Sequence, residues 1–217
     1  NVIVMGIEGE PLSLDPHTQA LWLTARIVSN MFEGFVQQDL TQADVSITPI
    51  KPALAESWTI SEDKLTYTFN LRQGVTFHDG EPWNAEAAKF NFDRIMNREA
   101  PQFYEKAFQQ NTWWRQDVDT YRVIDEYTFE VVLKHPNAEF LRRISQGGIG
   151  SAWMASPKAL VAQPNDDFAL APVGTGPFKF VERVFGERIV LDSNDEYWDP
   201  DRRPSFDRLI YRPMVEV

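Results

Sequence analysis

His78 and Asp79 stand side by side, and such a pair can bind a metal ion or move a proton. A metal site would need two or three further ligands close in space. The remaining histidines are His17 and His135, each beside a proline, at a loop or strand end. The chain has no cysteine, which excludes disulfides, thiolate nucleophiles and cysteine-ligated zinc but does not fix a compartment. His78-Asp79 therefore reads as part of a turn. Asp192, Asp195, Glu196, Asp199 and Asp201 form an acidic cluster. A calcium loop spaces its oxygen ligands around a glycine turn. This cluster has no glycine and is interrupted by Tyr197-Trp198, so it reads as a solvated loop.

The strings "GGIG" (147–150) and "GTG" (174–176) lack both the dinucleotide fingerprint and the P-loop ending, and read as turn glycines. No G-x-S-x-G or H-E-x-x-H motif occurs, nor S-x-x-K with its partner motifs. The chemistry points to a binding module, with no cofactor implied. A carboxylate-dependent hydrolase is the alternative, resting on the acidic excess alone. Of 217 residues, 32 are Asp or Glu and 21 Lys or Arg, a net charge of −11. No dense basic run is present, which argues against nucleic acid as a partner. Seven tryptophans could line a ligand cleft, although an aromatic-rich core explains the count more simply. No apolar run approaches the roughly 20 residues that span a bilayer. The abrupt apolar start (Val2–Met5) and an uncapped final strand suggest a piece of a longer chain.

The elements are set by periodicity. Residues 2–8 read as a strand, and Pro11 and Pro16 forbid regular structure in the next stretch. From Thr18, Leu21, Ala25, Val28 and Phe32 share one helical face, with Gly34 as a stop. After a polar loop, 57–60 is a short strand and 61–64 a charged turn. Leu65, Tyr67, Phe69 and Leu71 then alternate with polar residues, and Val75 and Phe77 resume the pattern. Asp79-Gly80 is a turn. Asn84 caps a helix whose inner face is Ala88, Phe92, Ile95 and Met96. The segment 99–118, with Phe103, Tyr104, Phe108, Trp113 and Trp114, has no clear period and leaves room for a helical turn. Residues 121–133 form a hairpin, 137–145 a short helix, and 147–160 a glycine-rich loop entering a helix. A second hairpin turns at Phe185-Gly186-Glu187 before a last strand. This order is α/β or α+β.

Several strings, in order and over nearly the whole chain, resemble one family. They are "PLSLDPH" (11–17), "NMFEGF" (30–35), "PALAESWTISEDKLTYTFNLRQGVTFHDGEPWNAEAAKFNFDRIM" (52–96), "VIDEYTFEVVL" (123–133), "GTGPFKF" (174–180) and "ERIVLDSNDEYWDPDRRPSFDRLIYRPM" (187–214). The chain is similar to the extracytoplasmic solute-binding proteins of ABC importers in the dipeptide/oligopeptide/nickel class (family 5). The resemblance implies an α/β, type II periplasmic-binding-protein-like lobe: a mixed sheet with flanking helices plus an inserted α+β subdomain. It implies a discontinuous first-lobe sheet from 1–45 and 170–217, an accessory subdomain over 46–169, and a second lobe absent from this chain. It implies a monomeric, periplasmic or otherwise extracytoplasmic non-enzyme that passes a peptide or related small solute to ABC permease subunits. By the same resemblance Ala20, Leu21 and Trp22 approach the solute, with Tyr104 and Trp153 (in the 149–153 loop) as further wall candidates. Leu21 stands where the family often has glycine or a small polar residue, which implies a different or bulkier solute than a standard backbone-bound peptide.

Overall fold

The computed structural model describes residues 1–18, 21–41, 46–146 and 152–214. The first sheet joins the two ends of the chain. Its strands are β1 (Val2–Ile7), β9 (Phe178–Val184), β10 (Arg188–Ser193) and β11 (Arg208–Pro213), in the order β1-β11-β10-β9. β1 runs parallel to β11, from Val2 opposite Arg208 to Ile7 opposite Pro213, and the other pairings are antiparallel. Ile7, Pro213 and the β9–β10 hairpin therefore share one end of this sheet. Gly186, with φ +72°, makes the hairpin turn. Asn1 and the 194–207 loop share the opposite end, where Asp207 accepts from the Asn1 amine.

The second sheet is antiparallel: β4 (Ala55–Ile60), β5 (Thr66–Leu71), β7 (Thr128–Leu133) and β6 (Val118–Asp125), in that order. The alternation behaves as expected on β5, where Tyr67, Phe69 and Leu71 are buried. Val75 and Phe77 are also buried, but their segment makes a single bridge, Thr76 to Pro82, and no strand. A third sheet was not foreseen. It is β3 (Ile50–Pro52), β2 (Val36–Gln38) and β8 (Ser145–Gln146), strands of two or three residues that are too short for periodicity to register.

Helices cover these sheets. α2 (Ala85–Met96) begins where expected, with Asn84 Oδ1 accepting from Ala87 N at 2.9 Å, and buries Ala88, Phe92 and Ile95. α1 (Trp22–Val28) is shorter than the expected helix. Its buried face is Thr24, Ile27 and Val28, because Leu21 is still extended (ψ 137°) when the helix starts. The segment 99–118 folds into two helices, α3 (Glu105–Gln110) and α4 (Thr112–Asp117). α5 (Phe140–Arg143) and α6 (Pro157–Ala162) are short, and Ser156 caps α6.

Two apolar cores result. One fills the space between the second sheet, α2 and α4 around Phe35, Phe69, Trp83, Phe92, Trp114 and Phe129. The other lies against the first sheet and draws on Ile7, Ile27, Phe32, Trp153, Phe168 and Tyr211. Trp153, Ala155, Ala159, Leu160 and Phe168 thus pack with the first sheet, whereas Met154 belongs to the other core.

Candidate functional site

The loop leaving β1 is held from behind by buried charge. Arg94, near the end of α2, donates Nη2 to Asp15 Oδ2 at 2.6 Å and Nη1 to Asp15 Oδ1 at 3.1 Å. The two side chains are only 2% and 1% exposed. A fully desolvated pair of this kind holds only when the geometry is bidentate and the remaining atoms are satisfied. Arg94 Nη1 also donates to His17 Nδ1 at 2.7 Å. A guanidinium cannot accept, so Nδ1 is the bare nitrogen and Nε2 carries the proton, which it donates to Trp153 O at 2.8 Å. Burial first, and the Arg94 charge second, push the His17 pKa down to about 4, so the ring is neutral. Asn111 Nδ2 donates to His17 O at 2.9 Å and completes the clamp. Asp15, His17 and Arg94 were not sequence candidates. The signal was present in "LDPH", a short polar run between prolines, but its partners lie 77 and 79 positions away.

The wall candidates divide around this clamp. Ala20 and residues 149–151 lie outside the described residues. Leu21 and Trp22, which come after the clamped loop, are 53% and 62% exposed. Tyr104 lies over the Arg94 guanidinium at 5.0 Å, and its hydroxyl donates to Asp166 at 2.7 Å. Burial, then Asp166, raise its pKa above the usual phenol value. Trp153 is 3% exposed and packs in the core of the first sheet. It reaches the clamp through its carbonyl. The clamp therefore gathers Tyr104 and Trp153 behind the loop and leaves Leu21 and Trp22 at the surface. Close by, a hollow of about 620 Å³ is bounded by Leu12, Ser13, Asp166, Leu170 and the hairpin residues Arg183 and Phe185. Those hairpin residues place it at the Ile7 end of the first sheet.

A second polar cluster sits at the other end. Glu33 is fully buried and accepts from Tyr197 Oη at 2.5 Å, Trp198 Nε1 at 2.8 Å and Thr175 Oγ1 at 3.0 Å. The only cation reaching it among the described residues is Arg202, at 3.8 Å. Desolvation dominates and raises its pKa. His78 is more than a turn residue. Its Nδ1 accepts from Gly174 N at 3.4 Å, leaving Nε2–H to donate to Gly176 O at 2.9 Å. Burial pushes its pKa down to about 4. The glycines of "GTG" are there for close approach: a Cβ on Gly176 would lie 2.6 Å from Asn30 O.

The acidic cluster is used structurally. Asp192 pairs with Arg208, Asp195 accepts from Ser193, and Asp199 accepts from Asp201 N. Among the described residues no group of three or more His, Asp or Glu is placed to hold a metal. None of the described helices is long and apolar enough to cross a membrane.

Residues 49–216 match the family model described as bacterial extracellular solute-binding proteins, family 5 Middle. The chain is 30% identical over 204 residues to the glutathione-binding protein GsiB of Pectobacterium atrosepticum, covering 94% of this chain and 36% of that protein. It is 32% identical over 216 residues to di/tripeptide-binding protein 1 of Pseudomonas aeruginosa, covering 94% and 39%. Among solved structures, the ABC transporter-associated periplasmic binding protein DppA from Helicobacter pylori, in complex with peptide STSA, superposes with a TM-score of 0.84. The identity is 28%, over 99% of this chain and 43% of that one. The chain thus spans less than half the length of these relatives. Its fold is that of a type II periplasmic binding protein, with mixed sheets and flanking helices.

Proposed function

Because this chain belongs to the bacterial extracellular solute-binding proteins of family 5, we propose that it forms one wall of an importer's receptor, capturing a peptide or related small solute for an ABC permease. The observation that carries this is the clamped loop. Leu21 and Trp22 stand exposed at the start of α1, shortly after a loop whose Asp15 and His17 are held from behind by Arg94. A pre-ordered aromatic ledge loses little conformational freedom on binding. Leu12, Leu170 and Phe185 are likewise exposed, around a hollow that Ser13 of the clamped loop also bounds. Apolar surface gathered in this way fits a face that another wall closes over. The opposite wall comes from the part of the relatives' length that this chain does not span.

Ala20, outside the described residues, is kept as a solute contact on the family resemblance alone, and Tyr104 and Trp153 act from behind the clamped loop. The domain reading is a first-lobe sheet from 1–45 and 170–217 with 46–169 inserted. The two cores support it in outline, although Trp153, Ala155 and Phe168 pack with the first sheet and Phe35 and Val36 pack in the other core. The relatives bind glutathione and di- or tripeptides by name, which favours a short peptide here. The bulk of Leu21 favours a solute larger than a bare dipeptide backbone. The protein works outside the cytoplasm, as a monomer and without catalysis. The test is a thermal-shift screen of the full-length protein against di- and tripeptides, glutathione, opines, sugars and nickel chelates. Stabilisation by a peptide is expected. A folded protein that responds to none of these classes overturns the proposal.

A further inference from the structure

On a chain of net charge −11, one cavity runs against the overall sign. It measures about 370 Å³ and lies between the third sheet and the loop after β10. Lys51, Arg72 and Arg202 line it, with Trp198 as an aromatic wall and Gln37 and Asp199 at its margin. The Arg72 guanidinium lies on the Trp198 ring at 4.4 Å and donates Nε to Ala53 O at 2.9 Å. Among the described residues neither Arg72 Nη finds an acceptor. Arg202 Nη1 is buried without a hydrogen-bond partner among the described residues. Glu33 Oε1 stands 3.8 Å from it, and both Glu33 oxygens already accept from Tyr197, Trp198 and Thr175. Among the described residues Lys51 pairs with Asp39, at a long 3.4 Å. Asp199 Oδ1 accepts from Asp201 N at the cavity margin.

The buried, unpartnered Arg202 donor is costly unless an acceptor arrives, and Arg72 and Lys51 line the same hollow. The planar guanidinium forks suit an oxyanion with several oxygens. We propose that this cavity binds a small oxyanion of the phosphate class, held between Arg72 and Arg202 with Lys51 at the mouth. The volume leaves room for a small organic substituent on the phosphate. Trp198 fixes the Arg72 plane, and its own Nε1 is fixed by Glu33. The 194–207 loop lies at the Asn1 end of the first sheet, whereas Leu21 and Trp22 lie beyond the Ile7 end. This is therefore a second site, independent of the solute wall.

The probes are inorganic phosphate and glycerol 3-phosphate, titrated calorimetrically into the protein at constant ionic strength. One saturable site is expected for at least one probe. Arg72→Gln and Arg202→Gln should each weaken it about tenfold or more. Lys51→Glu, at a more exposed position, should weaken it as well and keeps the test open if an arginine variant fails to fold. No saturable binding of either probe overturns the proposal. So does affinity unchanged in the folded variants, which would mark only diffuse screening.

Discussion

Behind the loop that leaves Ile7, Arg94 and Asp15 are buried as opposite charges in bidentate contact. At the other end of the same sheet, Glu33 is buried with only neutral donors at hydrogen-bond distance and its nearest cation at 3.8 Å. The first arrangement cancels charge, and the second solvates it with fixed dipoles. The difference decides what each can tolerate. Losing one member of an ion pair strands the other as a bare buried charge. Losing the Glu33 charge removes a desolvation cost along with three charge-assisted bonds. The first cluster fixes the loop that leads toward the exposed Leu21 and Trp22. The second leaves Arg202 under-satisfied beside an open cavity.

The largest test of this contrast is Arg94→Met. It should cost about 3–5 kcal/mol in denaturant unfolding, because Asp15 is left unpaired. The double variant Arg94→Met with Asp15→Leu should cost clearly less. A single-variant cost below about 1 kcal/mol would break the comparison.

Next comes pH. His17 and His78 both have folded pKa values near 4, below the ordinary 6.5. Between those values the unfolded chain binds more protons, so stability falls as pH drops from about 6.5 to 4. The loss is roughly 3 kcal/mol per histidine. His78→Asn should flatten that slope in acid-unfolding curves. Glu33 works the other way, since its raised pKa contributes stability at low pH that is lost as pH rises through the folded value.

Glu33→Gln should be milder, about 1–2 kcal/mol, because the amide keeps one acceptor and Tyr197 can rotate its hydroxyl to accept. The gap to the parent protein should shrink as pH rises. A cost matching Arg94→Met would mean that the two clusters do not differ in kind. Smallest is Trp22→Ala, which should shift unfolding by no more than about 0.5 kcal/mol because the side chain is exposed.

Local signals carried much of the fold. Asn84 announced α2, Gly80 with φ +81° announced its turn, and the alternation at 67–71 announced β5. The short strands of the third sheet escaped because two or three residues have no period. α1 was misplaced at its start because Leu21 continued an apolar spacing that the extended backbone does not use. The candidate site was harder to read. Aromatic size alone cannot separate Trp22, on the surface, from Trp153, in the core. Arg94 looked like one more polar residue of an amphipathic helix. Its role depends on Asp15, 79 positions earlier, and only the folded chain brings them together.

Trp22 and the clamped loop before it are proposed to form a solute wall. Calorimetric titration of the full-length protein with di- and tripeptides and glutathione, with and without Trp22→Ala, tests it most directly. Saturable binding of a short peptide is expected, weakened about tenfold or more in the variant with the unfolding transition unchanged. Equal affinity in the two proteins, or no binding by the folded parent, would contradict it.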